Sequence, residues 1–195
     1  MSDSILPIGD GHTLLSPDDQ RGLIPTYIAT RGELFDAEQR NIAQALLRRS
    51  PSTTQLLTDR YLRRLHKAMF GDVWSWAGRY RRVQTNIGID ANQIAIAVRD
   101  LVDDTLTWLE HETYADDEAA IRFHHRLVAI HPFPNGNGRH GRIAADLLAA
   151  TRGRPEFSWG RDLGLDTDRL RATYRQALRR ADEGDIGDLL SFARA

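Results

Sequence analysis

The chain has 195 residues, 41% of them hydrophobic, which suffices to bury one sizeable core and favours one domain over two. Lys and Arg number 26 against 27 Asp and Glu; the resulting formal charge of -1 gives no global pull toward nucleic acid or anionic membrane, so any anion binding must be local. The absence of cysteine excludes disulfides, thiolate catalysis and cysteine-based zinc sites, and leaves a metal only oxygen or imidazole ligands.

The first eleven residues lack the basic segment and apolar run of a secretory signal. The apolar stretch at 143–150 is interrupted by Asp146 and falls well short of the roughly 20 residues that cross a bilayer. A cytosolic protein without membrane association is the expectation. Residues 1–25 are polar and punctuated by Gly9, Gly11, Pro17, Gly22 and Pro25, which suits an extended arm. Leu34, Ala37, Ile42, Ala45 and Leu46 recur near helical spacing, and Thr30 followed by Glu33 has the form of a capping box, so a helix is predicted over 33–49. Ser50-Pro51-Ser52 stops it, and 58–70 reads as a second helix with Leu62, Leu65 and Met69 on one face. Trp74, Trp76 and Tyr80 then crowd together as packing residues, and 83–89 reads as a small β-hairpin around an Asn/Gly turn. Helices follow over 91–111, 116–130, 138–151, 166–181 and 185–193, the second opened by acidic residues that suit a helix N-terminus. The architecture is an all-α bundle with one hairpin, divided as an arm and helix over 1–54 and a main domain over 55–195.

Residues 131–142 read His-Pro-Phe-Pro-Asn-Gly-Asn-Gly-Arg-His-Gly-Arg. Gly136 and Gly138 can turn consecutive N–H groups inward as an anion nest, and the helix that begins at about Gly138 adds its own free N–H groups and positive pole. Arg139 and Arg142, three apart, project on one side and can fork onto phosphate oxygens. His131, at the end of the preceding helix, is placed to take a proton from an attacking hydroxyl. Phe133, between prolines, anchors the loop in the core. Taken singly, a histidine at a helix end is more often a cap and such arginines are more often solvated. A base, an anchor, a Gly-Asn-Gly nest and two arginines in one loop make joint function the better reading.

This loop resembles the Fic family pattern His-x-Phe-x-(Asp or Glu)-Gly-Asn-Gly-Arg-x-x-Arg at every fixed position except Asn135. Leu65-His66 and Trp76-Ala77-Gly78-x-x-Arg81 resemble the segment leading to the family's flap, and Tyr174, Ala177, Leu178, Ala181, Gly184-Asp185 and Leu189 its closing helices. Thr30-Arg31-Gly32-Glu33-Leu34 and the wording of the loop are most similar to the subgroup called mobile mystery protein B. The resemblance implies a Fic-fold helical bundle and a protein adenylyltransferase. His131 would deprotonate a Ser, Thr or Tyr hydroxyl of a target protein, which attacks the α-phosphorus of ATP; AMP stays on the target and pyrophosphate leaves with Mg²⁺. It also implies that ATP phosphates lie on Gly136, Asn137, Gly138 and Arg139, with Arg142 on the γ-phosphate. The target would add a strand to the flap at Gln84, Thr85, Asn86, Ile87 and Gly88.

Asn135 stands where most of the family has a Mg²⁺-binding carboxylate, and an amide oxygen is a weaker ligand for so hard an ion. A Doc-like phosphotransferase is the enzymatic alternative, although Gly136 and Gly138 favour nucleotidyl transfer; a nucleotide-binding module without catalysis is the other. No Ser or Thr has Glu four residues on, so the family's inhibitory motif is absent and a separate antitoxin-like partner, controlling a toxin in trans, is expected. His124, His125 and His140 lack the spacing of a zinc site. The runs Arg79-Tyr80-Arg81-Arg82 and Arg179-Arg180 read as solvated faces, which makes nucleic acid an unlikely partner.

Overall fold

The computed structural model describes residues 16–47 and 49–195. Most of the arm expected over 1–25 lies outside the described residues. Its described part is not extended throughout: α1 (Pro17–Gln20) is a short helix capped by Ser16, whose side-chain oxygen accepts from the Asp19 N–H. The segment after it docks on the tryptophans. The Trp76 indole donates to the Asp19 carbonyl at 2.9 Å, the Ile24 N–H donates to the Val73 carbonyl at 2.9 Å, and Leu23 forms an isolated bridge with Trp74.

Helix α2 (Arg31–Leu46) opens on the capping box read from Thr30 and Glu33, each side chain taking the other's backbone N–H. It ends three residues before the predicted boundary. A second capping box, Ser52 with Gln55, starts the short α3 (Thr53–Leu56), which the sequence reading passes over. Thr58 caps α4 (Asp59–Phe70). A turn of 3-10 helix at Ala91–Gln93 precedes α5 (Ile94–Glu110), and α6 (Asp116–Ile130) matches the predicted bounds. Then come α7 (Asn137–Thr151), a 3-10 turn at Arg161–Leu163, α8 (Thr167–Asp182) and α9 (Gly187–Arg194).

Helix α6 is the centre. It packs between α5 and α7 and also touches α9, while α2 lies on α4 and α8 pairs with α9. Ala119, Ala120, Ile121, Phe123 and Leu127 are buried along it, facing Ala144, Ala145, Leu148 and Ala149 of α7. The small residues let the two helices approach closely, so the loop between them is short and held at both ends. The acids at the start of α6 are tied down as well: Asp117 takes Arg154 and Arg194, and Asp116 takes Arg152. Asn41 of α2 donates to the Ala68 carbonyl and accepts from the Asp72 N–H, both at 2.9 Å, which fixes α2 against the end of α4. Trp74 and Trp76 stack on each other at 5.0 Å and are buried, as packing residues.

The predicted hairpin is corrected. Residues 81–90 contain no strand, and the one β contact among the described residues is the Leu23–Trp74 bridge. The backbone groups that would pair limb to limb are used elsewhere: the carbonyls of Val83 and Ile89 accept from the Arg81 guanidinium, the Ile89 N–H donates to the Ile130 carbonyl at 3.4 Å, and the Thr85 hydroxyl donates to the Ile87 carbonyl at 2.6 Å. Among the described residues no helix is long and apolar enough to cross a membrane.

Candidate active site

His131 follows the last residue of α6 in a left-handed backbone conformation, φ 55°, ψ 60°, that non-glycine residues seldom adopt. The turn aims the chain back toward α4. Phe133 is fully buried and stacks on the His66 ring at 3.8 Å between ring centres. His66 is itself fixed from both sides, since the Gly78 N–H donates to Nδ1 at 3.0 Å and Nε2 faces the Asn135 carbonyl at 2.9 Å. With Nδ1 accepting, the ring proton must sit on Nε2 and be donated to Asn135. Gly136 then turns left-handed, φ 79°, with the Phe70 ring 2.6 Å from where a Cβ would stand, so a larger residue would be both strained and obstructed. α7 begins at once. A Cβ on Gly138, in contrast, would meet no protein atom within 4 Å, so nothing inside the fold demands glycine there.

Asn137 is nearly buried and bonded to Phe133 twice, accepting from its N–H at 2.9 Å and donating to its carbonyl at 2.8 Å. It clamps the loop rather than pointing outward, so its part in a phosphate site would be indirect. The Asn135 side-chain oxygen accepts from the Gly136 N–H at 2.6 Å. Among the described residues no group of three His, Cys, Asp or Glu is gathered to hold a metal. The loop by itself therefore offers a metal no carboxylate: its two side-chain amide oxygens, of Asn135 and Asn137, are neutral and already engaged.

The two arginines are held by different helices. Arg139 lies over the Phe70 ring at 4.8 Å and pairs with Glu38 of α2 at 2.7 Å, and the other Glu38 oxygen accepts from the Trp74 indole at 2.8 Å. Arg142 lies over the Tyr174 ring of α8 at 5.4 Å. The sequence reading missed Glu38; a buried acid mid-helix, seven residues after a helix start, carries no local mark of a partner 101 residues away. Arg81 is also not where it was expected. It is 3% exposed, not part of a solvated face, and donates to the His131 carbonyl at 2.8 Å. The other histidines are held apart: His124 by the Tyr174 hydroxyl, His125 by Asp182, and His140 by the Leu62 carbonyl.

Burial holds the His131 imidazole neutral, lowered to about 4; the Arg81 charge adds to this and the nearby Val128 carbonyl opposes it. A neutral imidazole carries one proton and keeps a lone pair on its other nitrogen, as a general base requires. The arrangement thus brings together a proton acceptor, a helix N-terminus with an open glycine, and two arginines flanking it.

The Fic/DOC family model matches residues 56–149. Nearly half of the chain is therefore similar to the Fic/DOC family. Over 125 residues it is 33% identical to the protein adenylyltransferase fic-1 of Caenorhabditis elegans, an alignment covering 60% of this chain and 22% of the relative. Over 185 residues it is 26% identical to the protein adenylyltransferase Fic of Drosophila willistoni, covering 88% and 35%. The chain thus spans about a fifth to a third of the length of the curated relatives it matches. Its fold is that of the BepC protein of Bartonella tribocorum, solved with bound AMPPNP: TM-score 0.68, 16% identity, covering 92% of this chain and 97% of the other. These likenesses establish an all-α Fic fold and a relationship to protein adenylyltransferases.

Two predictions follow from the site. Replacing Glu38 by Gln removes an anion next to Arg139 while keeping an acceptor for Trp74, so ATP, measured by calorimetry, should bind about tenfold tighter, the effect of one partly solvated charge. The buried histidines set the acid stability. His66, well below its usual range, His124 at about 3, and His131 and His140 at about 4 stay neutral in the folded protein, chiefly through burial, while the unfolded chain protonates all four below pH 6.5. Asp146, pushed by burial up to about 6, opposes one of them between pH 3.8 and about 6. Stability measured by urea unfolding should therefore be flat with respect to these groups above pH 6.5 and fall toward pH 4, by up to about 1.4 kcal/mol per unit per uncompensated proton.

Proposed function

We propose that the chain transfers AMP from ATP to a Ser, Thr or Tyr hydroxyl of a target protein. The observation that carries this is the juxtaposition of a neutral, proton-accepting His131 with the N-terminus of α7, where Gly138 opens outward and Arg139 and Arg142 flank the turn. Phosphates resting on the first N–H groups of α7 would be held by its positive pole and by both guanidinium forks. The target hydroxyl gives its proton to His131 as its oxygen bonds to the α-phosphorus, the bond to the β-phosphate oxygen breaks, and pyrophosphate departs. Bound phosphates favour the imidazolium that forms, moving the base up from its depressed value in the free protein. The relatives' names and the nucleotide bound to BepC support ATP as the donor. Mg²⁺ supplies charge neutralisation of the phosphates in such chemistry, and here Asn135 is the loop residue nearest to that role.

On this reading the chain belongs to the mobile mystery protein B subgroup and works in the cytoplasm. The flap residues 84–88 receive the target as an added strand, their lack of regular pairing leaving that to the incoming chain. Control by a separate antitoxin-like protein is part of the same reading. The Glu38 contact to Arg139 adds a restraint within the chain itself.

Incubating the protein with ATP labelled at α or γ in the presence of cell proteins, followed by mass spectrometry, tests the reaction: an AMP increment is expected, and a phosphate increment would favour the Doc-like transfer. His131→Ala should lower incorporation by about a hundred- to ten-thousand-fold, the usual worth of a general base, with ATP affinity retained; undiminished turnover would remove His131 from the mechanism. Asn135→Asp places a charged oxygen where the loop has only a neutral one, at nearly constant volume. Transfer at low Mg²⁺ should rise and the gap to the unsubstituted protein should close at saturating Mg²⁺. Identical metal dependence of the two proteins would mean that the side chain serves only the Gly136 N–H.

A further inference from the structure

We infer that Arg81 is a positioning residue that locks the flap and the His131 base into one register, so that a hydroxyl carried along residues 84–88 arrives at the imidazole; this rests on the proposed transfer. The guanidinium is buried and makes no ion pair among the described residues. Asp90 acts on it only through its charge, while burial disfavours the cation. Its donors go instead to three carbonyls: Nε to His131 at 2.8 Å, Nη1 to Val83 at 3.1 Å and Nη2 to Ile89. One carbonyl belongs to the base and the other two to opposite limbs of the flap. Burying a cation on neutral acceptors is costly, so the arrangement persists only where nothing cheaper spans the same points. A lysine ammonium is a compact point donor and a glutamine amide has two N–H groups in one plane; only the five-donor fork reaches three diverging carbonyls.

The backbone repeats the link. The Arg81 N–H donates to the Pro132 carbonyl at 2.9 Å and the Ile89 N–H to the Ile130 carbonyl, so both ends of the flap are fastened to residues that flank His131. At the far limb Gly88, φ 100°, presses its backbone on the base: a Cβ there would stand 2.5 Å from the His131 Cβ and 2.8 Å from the Arg81 Nη2. His131 is in the left-handed region, which non-glycine residues seldom adopt and which needs outside support. Arg81 supplies it by holding that residue's carbonyl. A shift of the flap must therefore move the ring, and a shift of the ring must move the flap. The phosphate-facing groups depend on other supports, Arg139 on Glu38 and Arg142 on Tyr174. Target alignment and nucleotide grip are thus separable in this fold.

Arg81→Lys and Arg81→Gln in the full chain provide the test, with AMPPNP affinity by calorimetry, label incorporation from α-labelled ATP into cell proteins, amide exchange over 82–90, and His131 ring nitrogen shifts by NMR. Both variants should keep helical content and AMPPNP affinity, exchange faster over 84–89, and lose about a hundredfold in incorporation, the scale of an ångström-sized misplacement of reacting groups. Arg81→Lys, which keeps the charge without the fork, should recover little of the rate. Undiminished incorporation in folded Arg81→Gln, or AMPPNP affinity falling in step with the rate, would overturn the inference. If the unsubstituted protein incorporates no label, the transfer reading fails separately; the link between flap and base is then decided by exchange and ring shifts, and signals unchanged in Arg81→Gln would sink it.

Discussion

The turn between α6 and α7 keeps its shape because buried side chains, two of them from distant parts of the chain, satisfy its backbone. Such a turn has no ladder of its own: it leaves a helix through a left-handed residue, passes two prolines and enters the next helix through a left-handed glycine. His66 takes the Asn135 carbonyl, Asn137 takes both backbone groups of Phe133, and Arg81 takes the His131 carbonyl. Each of the three is buried. In such surroundings an unmade hydrogen bond costs more than a made one contributes, so the loop has one low-energy path and the exposed groups on it inherit that rigidity.

His66 shows how far this dependence reaches. It stacks on Phe133 of the loop, comes within 5.5 Å of His140 on α7, and accepts from Gly78, at the bend that carries the chain toward the flap. One neutral imidazole therefore connects α4, the loop, α7 and the entry to the flap. A charged ring could not accept from Gly78, so burial that keeps it neutral also keeps the connection. The hydrogen bonds on either side of His66 fix its tautomer without a carboxylate.

The local parts of this arrangement were legible in the sequence. Thr30 with Glu33 marks the start of α2 because both members of a capping box lie three residues apart, and α6 is read to its ends because acids open it and a Gly/Pro-rich loop closes it. The histidine, glycines and arginines of the candidate site lie within twelve residues, so a single pass along the chain picks them out. What was not legible is the tertiary supply of partners. The alternation around Asn86 and Gly88 suggests a hairpin, yet a guanidinium from outside the limbs takes the Val83 and Ile89 carbonyls, and no periodicity records that. Arg81 sits in an arginine-rich run that looks solvated for the same reason. Glu38 is hidden by distance: only the packing of α2 on α4 brings it to Arg139.

These supports divide the electrostatics of the site in two. On one side α7 offers N–H groups and two arginines, and Glu38 already offsets one of those charges, so the start of α7 carries no large unpaired positive field. On the other side a buried cation, Arg81, stands next to the neutral His131 imidazole and disfavours its protonation. On the proposed reading, these two opposite charges each restrain one partner of the reaction. Glu38 weakens the grip on phosphate, whereas Arg81 withholds a proton from His131; an arriving nucleotide, with its several negative charges, relieves both, drawing Arg139 toward phosphate and making the imidazolium easier to form. On the proposed reading, the base therefore gains proton affinity when the group it serves is in place, and the same burial that makes His131 a poor base in the free protein makes its response to a neighbouring anion large.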